Sequence, residues 1–327
     1  MKEKKTLSVP AKLRLVEIIA IILLIISCAV FSMYMTMDTY PWFVLLMLAI
    51  VYLNRKIRAG IVARPLITDR DPERYRDAIP PVKRTTVFEA EAAYYCGDYQ
   101  RVVDVCTAGL SEENMPEKSK KYLAVFLMRT YLETDECDKL TEVLSQWDSL
   151  NAKGRKIPST FADYCRKYAA GDYEGALAVK RELPKLSVLL SKKRVATIEL
   201  HVKFTTALAL YRLGRGEEAR PLFDEVAKAA PKFGYAKLSA KYIGAIDSGE
   251  TVQAVKTSPT DESSEAAAKL KEIVSKDAKR AQLMGSVSKA LIILFLCLLV
   301  VWILFDSGII KINTDIFKGQ EIVWQNQ

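Results

Sequence analysis

Histidine is nearly absent from this sequence: His201 is the single one among 327 residues. A metal site built from paired histidines is therefore excluded, and no His-Glu-x-x-His pattern occurs. A glycine-rich phosphate loop and a nucleophile elbow are also missing. We therefore expect no catalytic residue, no cofactor and no metal ion, and a protein that is not an enzyme.

Closely spaced cysteines are missing as well. The six cysteines form no Cys-x-x-Cys pair, which a zinc or redox site would favour. Cys28 and Cys297 fall within apolar runs, and the other four are dispersed along the chain. Their predicted role is that of small buried hydrophobes.

Apolar residues are concentrated towards the two ends of the chain. Three runs are long enough, alone or with their flanks, to cross a hydrocarbon layer about 30 Å thick: Leu15 to Met35, Trp42 to Leu53 and Ala290 to Phe305. The first run could instead be a cleaved signal peptide, because a basic stretch precedes it. Its length, the charge of Glu17 and the second apolar run that follows at once favour a membrane helix.

Basic residues flank these runs asymmetrically. They precede the first run, follow the second and precede the third, whereas the short loop between the first two runs carries none. Because lysine and arginine stay on the cytoplasmic side, the N-terminus and residues 58–289 should be cytosolic and the C-terminus outside. A bacterial cytoplasmic membrane is the default location. The net charge of +9 then favours contact with anionic lipid headgroups. Nucleic acid is an unlikely partner, because the basic clusters lack interleaved aromatic residues.

The sequence between the spans has its own organisation. Prolines interrupt the stretch after the second run, and a polar stretch without apolar periodicity precedes the third. The predicted segments are 1–57, a membrane helical hairpin; 58–84, a linker; 85–246, a cytosolic helical domain; 247–265, a flexible tether; 266–306, a cytosolic helix that continues into the third span; and 307–327, an extracytoplasmic tail.

The domain 85–246 shows no strand-like alternation, and its apolar residues recur at intervals of three and four, which is typical of amphipathic helices. Two stretches share a Gly-Asp-Tyr turn, at Gly97 and at Gly171, and each is followed directly by a helical pattern. Glycine ends a helix there in a conformation that other residues resist. A third stretch reads ALYRLGRGEEARPLFDEVAKAAP, with Gly214, Ala219, Phe223 and Pro231 at fixed intervals.

These intervals resemble the tetratricopeptide repeat, a helix-turn-helix unit of 34 residues with a small residue at the helix contact and a terminating proline. The resemblance implies an all-α solenoid of four units, with one alignment point on each second helix. The points are Val102, Leu140, Ala176 and Ala219. The unit spacing departs from 34, and Lys203 stands where the family has tryptophan. Residues 232–246 would then cover the last unit.

The family's groove is lined by side chains of the first helices. The resemblance places seven residues there: Arg129, Leu132, His201, Phe204, Leu208, Tyr211 and Arg212. Such a strip would suit an extended or helical peptide with acidic groups. Phe204 and Leu208 could equally be core residues.

The expected function is that of a membrane scaffold or adaptor, which presents the repeat domain to a protein or peptide partner. The alternative is an accessory subunit of a transporter or envelope-assembly complex, whose membrane helices pack with other subunits.

Overall fold

The computed structural model describes residues 8–33, 40–80, 84–152, 160–179, 192–252, 256–258 and 264–306. Within these ranges every regular element is an α-helix, so the chain belongs to the all-α class. The helices are α1 (Val9–Met33), α2 (Tyr40–Ile67), α3 (Pro72–Arg76), α4 (Thr86–Cys96), α5 (Tyr99–Ser111), α6 (Glu117–Glu133), α7 (Cys137–Ala152), α8 (Thr160–Ala169), α9 (Tyr173–Ala178), α10 (Lys192–Arg212), α11 (Gly216–Ala229), α12 (Gly234–Ser248) and α13 (Glu265–Asp306).

Among the described residues, one helical stretch is long and apolar enough to cross a membrane, Val9–Val30 of α1. Only 6% of its most apolar window is buried, whereas a core helix of similar composition would be mostly buried. The second run, 42–53, lies in the first half of α2, which packs against α1. The third run, 290–305, lies in α13, and almost all of its side chains fall outside the described residues. The tail 307–327 is also outside them.

The central part of the chain consists of four consecutive helix pairs. α4 packs with α5, α6 with α7, α8 with α9, and α10 with α11, and α12 then packs on α11. The four alignment points lie on the second helices of these pairs, and each is at most 1% exposed. Phe223 is likewise buried, and Pro231 lies in the turn after α11.

The turns within the pairs explain the recurring Gly-Asp-Tyr motif. Gly97 and Gly171 have φ of 80° and 74°, in the left-handed region where glycine is favoured. The next residue caps the following helix: the Asp98 side chain accepts a hydrogen bond from the backbone N–H of Arg101, and Asp172 accepts one from Gly175. The motif therefore ends one helix and starts the next.

Helices from the two ends of the domain meet. The ring of Tyr95 in α4 lies 5.1 Å from that of Phe233, the residue before α12. A Cβ added to Gly234 would lie 2.5 Å from the Cα of Gly97. The backbones of Gly97 and Gly234 are therefore packed against each other. Buried side chains fill the space between the four helix pairs.

The stretch expected to be a linker carries regular structure. α2 continues through Pro65 to Ile67, and α3 follows a short turn. Leu66 and Tyr75 are each 5% exposed, and the Tyr75 hydroxyl donates to Glu91 Oε2 of α4 at 2.6 Å. Pro65 removes one backbone hydrogen bond close to the helix end, and the burial of Leu66 offsets that loss. Residues 81–83 lie outside the described part of the chain.

α13 covers the first helix pair before it reaches the apolar run. Leu270, Val274 and Ala278 are buried, and α13 packs on α5 and α4. Asp277 Oδ2 accepts hydrogen bonds from the backbone N–H and from the hydroxyl of Thr86, both at 2.8 Å. A carboxylate of α13 thus satisfies free donors at the N-terminus of α4.

Candidate functional site

The seven residues expected to line a groove are found in three different places. Leu132, Phe204 and Leu208 lie in the apolar core. Arg129 and His201 meet in a polar and aromatic interior. Tyr211 and Arg212 lie at the edge of the domain where the turns within the helix pairs are found.

The three apolar residues have exposures of 1% or less. The ring of Phe204 lies 5.9 Å from that of Phe223 and 5.7 Å from that of Tyr235. Phe204 thus stabilises the packing of α10 on α11 and α12. A core position is the alternative that the sequence left open for Phe204 and Leu208. A partner could not contact them without separating these helices.

The polar interior surrounds a buried carboxylate, and we call Tyr94, Tyr99, Glu133 and His201 the Glu133 cluster. Glu133 is 2% exposed and accepts hydrogen bonds from the hydroxyls of Tyr94 and, at 2.8 Å, of Tyr99. His201 Nε2 lies 3.4 Å from Glu133 Oε1. Burial raises the pKa of Glu133 to about 7, although the two tyrosines and the nearby charge of Arg129 act in the opposite direction.

Arg129 lies beside this cluster within a set of aromatic rings. Its guanidinium carbon is 5.7 Å from the ring centroid of Tyr94 and 5.8 Å from those of Phe126 and Phe161. His201 also packs on Phe161, with the ring centroids 5.7 Å apart. Cation–π contacts of this kind stabilise a partly buried guanidinium.

The Glu133 cluster draws its members from α4, α5, α6 and α10, and the ring of Tyr235 in α12 lies 5.9 Å from that of His201. It therefore joins the first, second and fourth helix pairs to α12. The hydroxyls of Tyr94 and Tyr99 both bond to the Glu133 carboxylate, so the cluster forms an interior hydrogen-bond network between helices.

The edge of the domain carries an ion pair between helix pairs. Arg212, at the end of α10, pairs with Asp135, the residue with φ of 62° in the turn between α6 and α7. The Tyr168 hydroxyl donates to Asp135 at 3.4 Å. Tyr211 packs on Tyr242 at 5.0 Å, and its hydroxyl accepts a hydrogen bond from the backbone N–H of Val252 at 3.3 Å.

Part of the expected tether crosses the same edge, and we call residues 256–258 the strap. Thr257 is 3% exposed, and its backbone N–H donates to Glu136 Oε1 at 3.0 Å. The Ser258 N–H donates to Gln100 Oε1 at 3.2 Å. The strap thus bridges the turns of the first two pairs, and residues 253–255 and 259–263 on either side of it lie outside the described residues.

A shallow cleft of about 460 Å³ opens elsewhere, between α5, α6 and α7. Its lining includes the apolar residues Leu110, Leu127, Tyr131, Val143 and Leu150. Polar neighbours such as Gln146 complete it, so it offers a mixed surface to a partner.

Sequence reasoning missed Glu133, Gln100 and Glu136. The signal for Glu133 is an acidic residue at an apolar position of the helical pattern, four residues after Arg129 and on the same helix face. No comparable signal marks Gln100 or Glu136, because both occur in ordinary polar surroundings near helix starts.

The described residues contain no group of three or more histidine, cysteine, aspartate or glutamate side chains that could hold a metal ion. Cys106 and Cys165 are buried, and Cys96 and Cys137 are half-buried. No protein-family model matches the chain, and no curated protein and no solved structure is significantly similar to it.

Proposed function

We propose that this protein is a membrane-anchored scaffold. Its helix pairs form a repeat array similar to tetratricopeptide repeats, which binds a protein partner in the cytosol. Three membrane helices, two N-terminal and one in α13, hold the array at a bacterial cytoplasmic membrane, with basic flanks on anionic lipid. The array is a binding module rather than an enzyme.

One observation carries this proposal: two long helices each join an apolar segment to the packed domain without a break. α2 reaches from its apolar run to the buried side chain of Leu66, and α13 runs from its buried residue Leu270 to its own apolar run. A helix rises about 1.5 Å per residue, and Leu66 lies 13 positions after Leu53, so the two are about 20 Å apart along α2. The domain would then be held at a defined distance from the membrane and in a defined orientation to it.

A fixed orientation suits a scaffold, because the partner is presented to the membrane in one pose and at a high local concentration. Because side chains fill the interior of the domain, a partner must bind to its outer surfaces. The cleft between α5, α6 and α7 is one such surface, and the edge that carries the strap is another.

The accessory-subunit alternative also has a specific observation in its favour. Asp277 connects α13 to the N-terminus of α4 through two hydrogen bonds. A helix that served only as an anchor would not need this connection, whereas a subunit that responds to neighbouring membrane helices would use it.

Photo-crosslinking in native membranes separates the two functions. A crosslinking residue at exposed Gln146 tests the cleft, and one at exposed Lys241 on α12 serves as the control. The same probes are then placed in a variant whose three apolar runs are replaced by unrelated runs of equal length.

A scaffold gives one discrete crosslinked protein from Gln146 in both backgrounds and none from Lys241. Crosslinks from Gln146 that vanish in the variant with replaced runs would favour the accessory subunit. Absence of any crosslink from the domain would contradict the scaffold.

A further inference from the structure

The strap is held through its main chain by side chains of the domain. The Thr257 N–H donates to Glu136 Oε1, and the Thr257 carbonyl accepts from Lys139 Nζ. The Ser258 N–H donates to Gln100 Oε1, and the Ser258 carbonyl accepts from Gln100 Nε2. All four polar backbone groups of two successive residues are therefore satisfied by three side chains. Side chains that bond to main-chain N–H and C=O groups in this way can bind a peptide segment that has no folded structure of its own.

The three side chains are held in place by other residues. Lys139 is paired with Glu136 and lies 5.7 Å from the ring centroid of Tyr131. The Thr134 hydroxyl donates to Glu136 Oε1 at 3.1 Å, and Gln100 Nε2 also donates to Asp104 Oδ1 at 3.1 Å. Such pre-organisation lowers the entropy cost of binding.

The environment of Thr257 also defines which residue fits. Its side chain is buried, and its hydroxyl donates to Glu136 Oε1. Burial alone would raise the pKa of Glu136, but the hydrogen bonds from Lys139 and Thr257 lower it below its usual value. The carboxylate is therefore ionised at neutral pH, so it favours a hydroxyl donor and repels an acidic side chain.

We propose that Gln100, Glu136 and Lys139 form a binding site for an extended peptide segment with a threonine at its centre. The strap occupies this site in the resting protein, and an extended threonine-containing segment of a partner protein takes its place. This inference rests on the proposed scaffold function and assigns it a partner class and a resting state. The site lies at the turn edge, where Tyr211 and Arg212 are also found, and it includes none of the seven residues that the sequence indicated.

Competition by the strap has a calculable effect. Residue 256 follows the end of α12 by eight residues, and α13 begins seven residues after Ser258, so both connections are short. Short connections give an effective concentration on the order of millimolar. A free peptide of intrinsic Kd near 0.1 mM would then bind the wild-type chain about 10-fold more weakly than a chain with an open site.

The test uses the full chain in nanodiscs and a fluorescent peptide with the native sequence of residues 252–262. The Thr257→Glu variant opens the site, because it places a second carboxylate against Glu136. Thr251→Glu is the matched control, since Thr251 is exposed. We expect Thr257→Glu to bind the peptide about 10-fold more tightly than the wild type and Thr251→Glu to match the wild type.

Variants of the site identify where the peptide binds. In the opened chain, Gln100→Ala and Lys139→Ala should each weaken binding at least about 5-fold, since each removes bonds to the peptide backbone. Lys241→Ala, at an exposed position of α12, should leave it unchanged. A peptide that carries glutamate in place of Thr257 should not bind. Equal affinity for wild-type and opened chains, or an affinity unaffected by Gln100→Ala, would overturn the proposal.

Hydrogen exchange provides a second measurement that needs no opened variant. Saturating peptide added to the wild-type chain should accelerate amide exchange at Thr257 and Ser258, and Gln100→Ala should do so without peptide. Protection that does not change in either experiment would also overturn the proposal. These assays need no cellular partner, so their failure is distinct from a failure of the crosslinking that tests the scaffold.

Discussion

The contact between Gly97 and Gly234 predicts that one chemical change has opposite effects at two positions of the same helix. Gly234→Ala adds a methyl group 2.5 Å from the Cα of Gly97, 2.8 Å from its backbone nitrogen and 3.1 Å from the carbonyl oxygen of Tyr94. Carbon atoms normally approach to about 3.5–4.0 Å, so α12 must move by about 1 Å. Gly244→Ala lies on the same helix, with no atom within 4 Å of the added methyl group.

The magnitudes follow from these distances. Overpacking of a closed contact costs about 1–3 kcal/mol, and the neighbours here are backbone atoms that cannot rotate away. Alanine in an exposed helix interior instead gains up to about 1 kcal/mol over glycine. For a domain of this size, 1 kcal/mol changes Tm by about 2–4 °C. We expect Gly234→Ala to lower Tm by roughly 4–8 °C and Gly244→Ala to raise it by a few degrees.

Tryptophan fluorescence offers a clean measurement. Trp147 is buried in α7, and the other three tryptophans lie at positions 42, 302 and 324, outside the domain 85–246. Replacing those three by phenylalanine leaves Trp147 as the only probe of the domain in detergent. If Gly234→Ala and Gly244→Ala melt at the same temperature, the two ends of the domain do not meet as described.

Three further predictions concern the interior and the topology. Folding raises the pKa of Glu133 from 4.5 to about 7. The carboxyl group therefore ionises at a lower pH in the unfolded chain than in the folded one, and the free energy of unfolding should fall by up to about 3 kcal/mol between pH 4.5 and 7. Glu133→Gln should abolish this loss in urea unfolding, and an equal pH slope in both proteins would contradict it. Ala219 is fully buried, so Ala219→Arg should cost at least about 3 kcal/mol, whereas Ala219→Ser should cost about 1 kcal/mol, as read from urea midpoints. A reporter that works only outside the cytosol should be active after Gln327 and inactive after Gly249, and the reverse pattern would refute the proposed orientation.

The local features of the fold could be predicted from the sequence. Glycine at 97 and 171 ends a helix because the turn needs a left-handed residue, and the aspartate that follows caps the next helix; these are short-range effects. Small or apolar residues at the alignment points are buried because the helical period repeats within each unit. Ala219 and Phe223, which this periodicity places at helix contacts, are both fully buried.

The long-range features could not be predicted in this way. Gly234 reads as an ordinary helix start, and only the approach of Gly97, more than a hundred residues away, makes its missing side chain necessary. His201 and Arg129 were expected in a groove because the sequence does not show that Glu133 and the aromatic rings fill the space between them. Thr257 lies in a polar stretch without periodicity, and its position depends on the side chains of Glu136 and Lys139 around the start of α7.

The unbroken course of α13 has a mechanical consequence under the proposed anchoring. Lys289 lies 19 positions after Leu270, so this part of α13 acts as a lever about 29 Å long. A tilt of about 10° at the bilayer surface, within the range that helices adopt when membrane thickness changes, would displace its far end by about 5 Å. That end is packed on the first helix pair, and it follows the strap in the chain. Lateral tension or thinning of the membrane would therefore reach the turn edge of the domain as a displacement comparable to one helical turn.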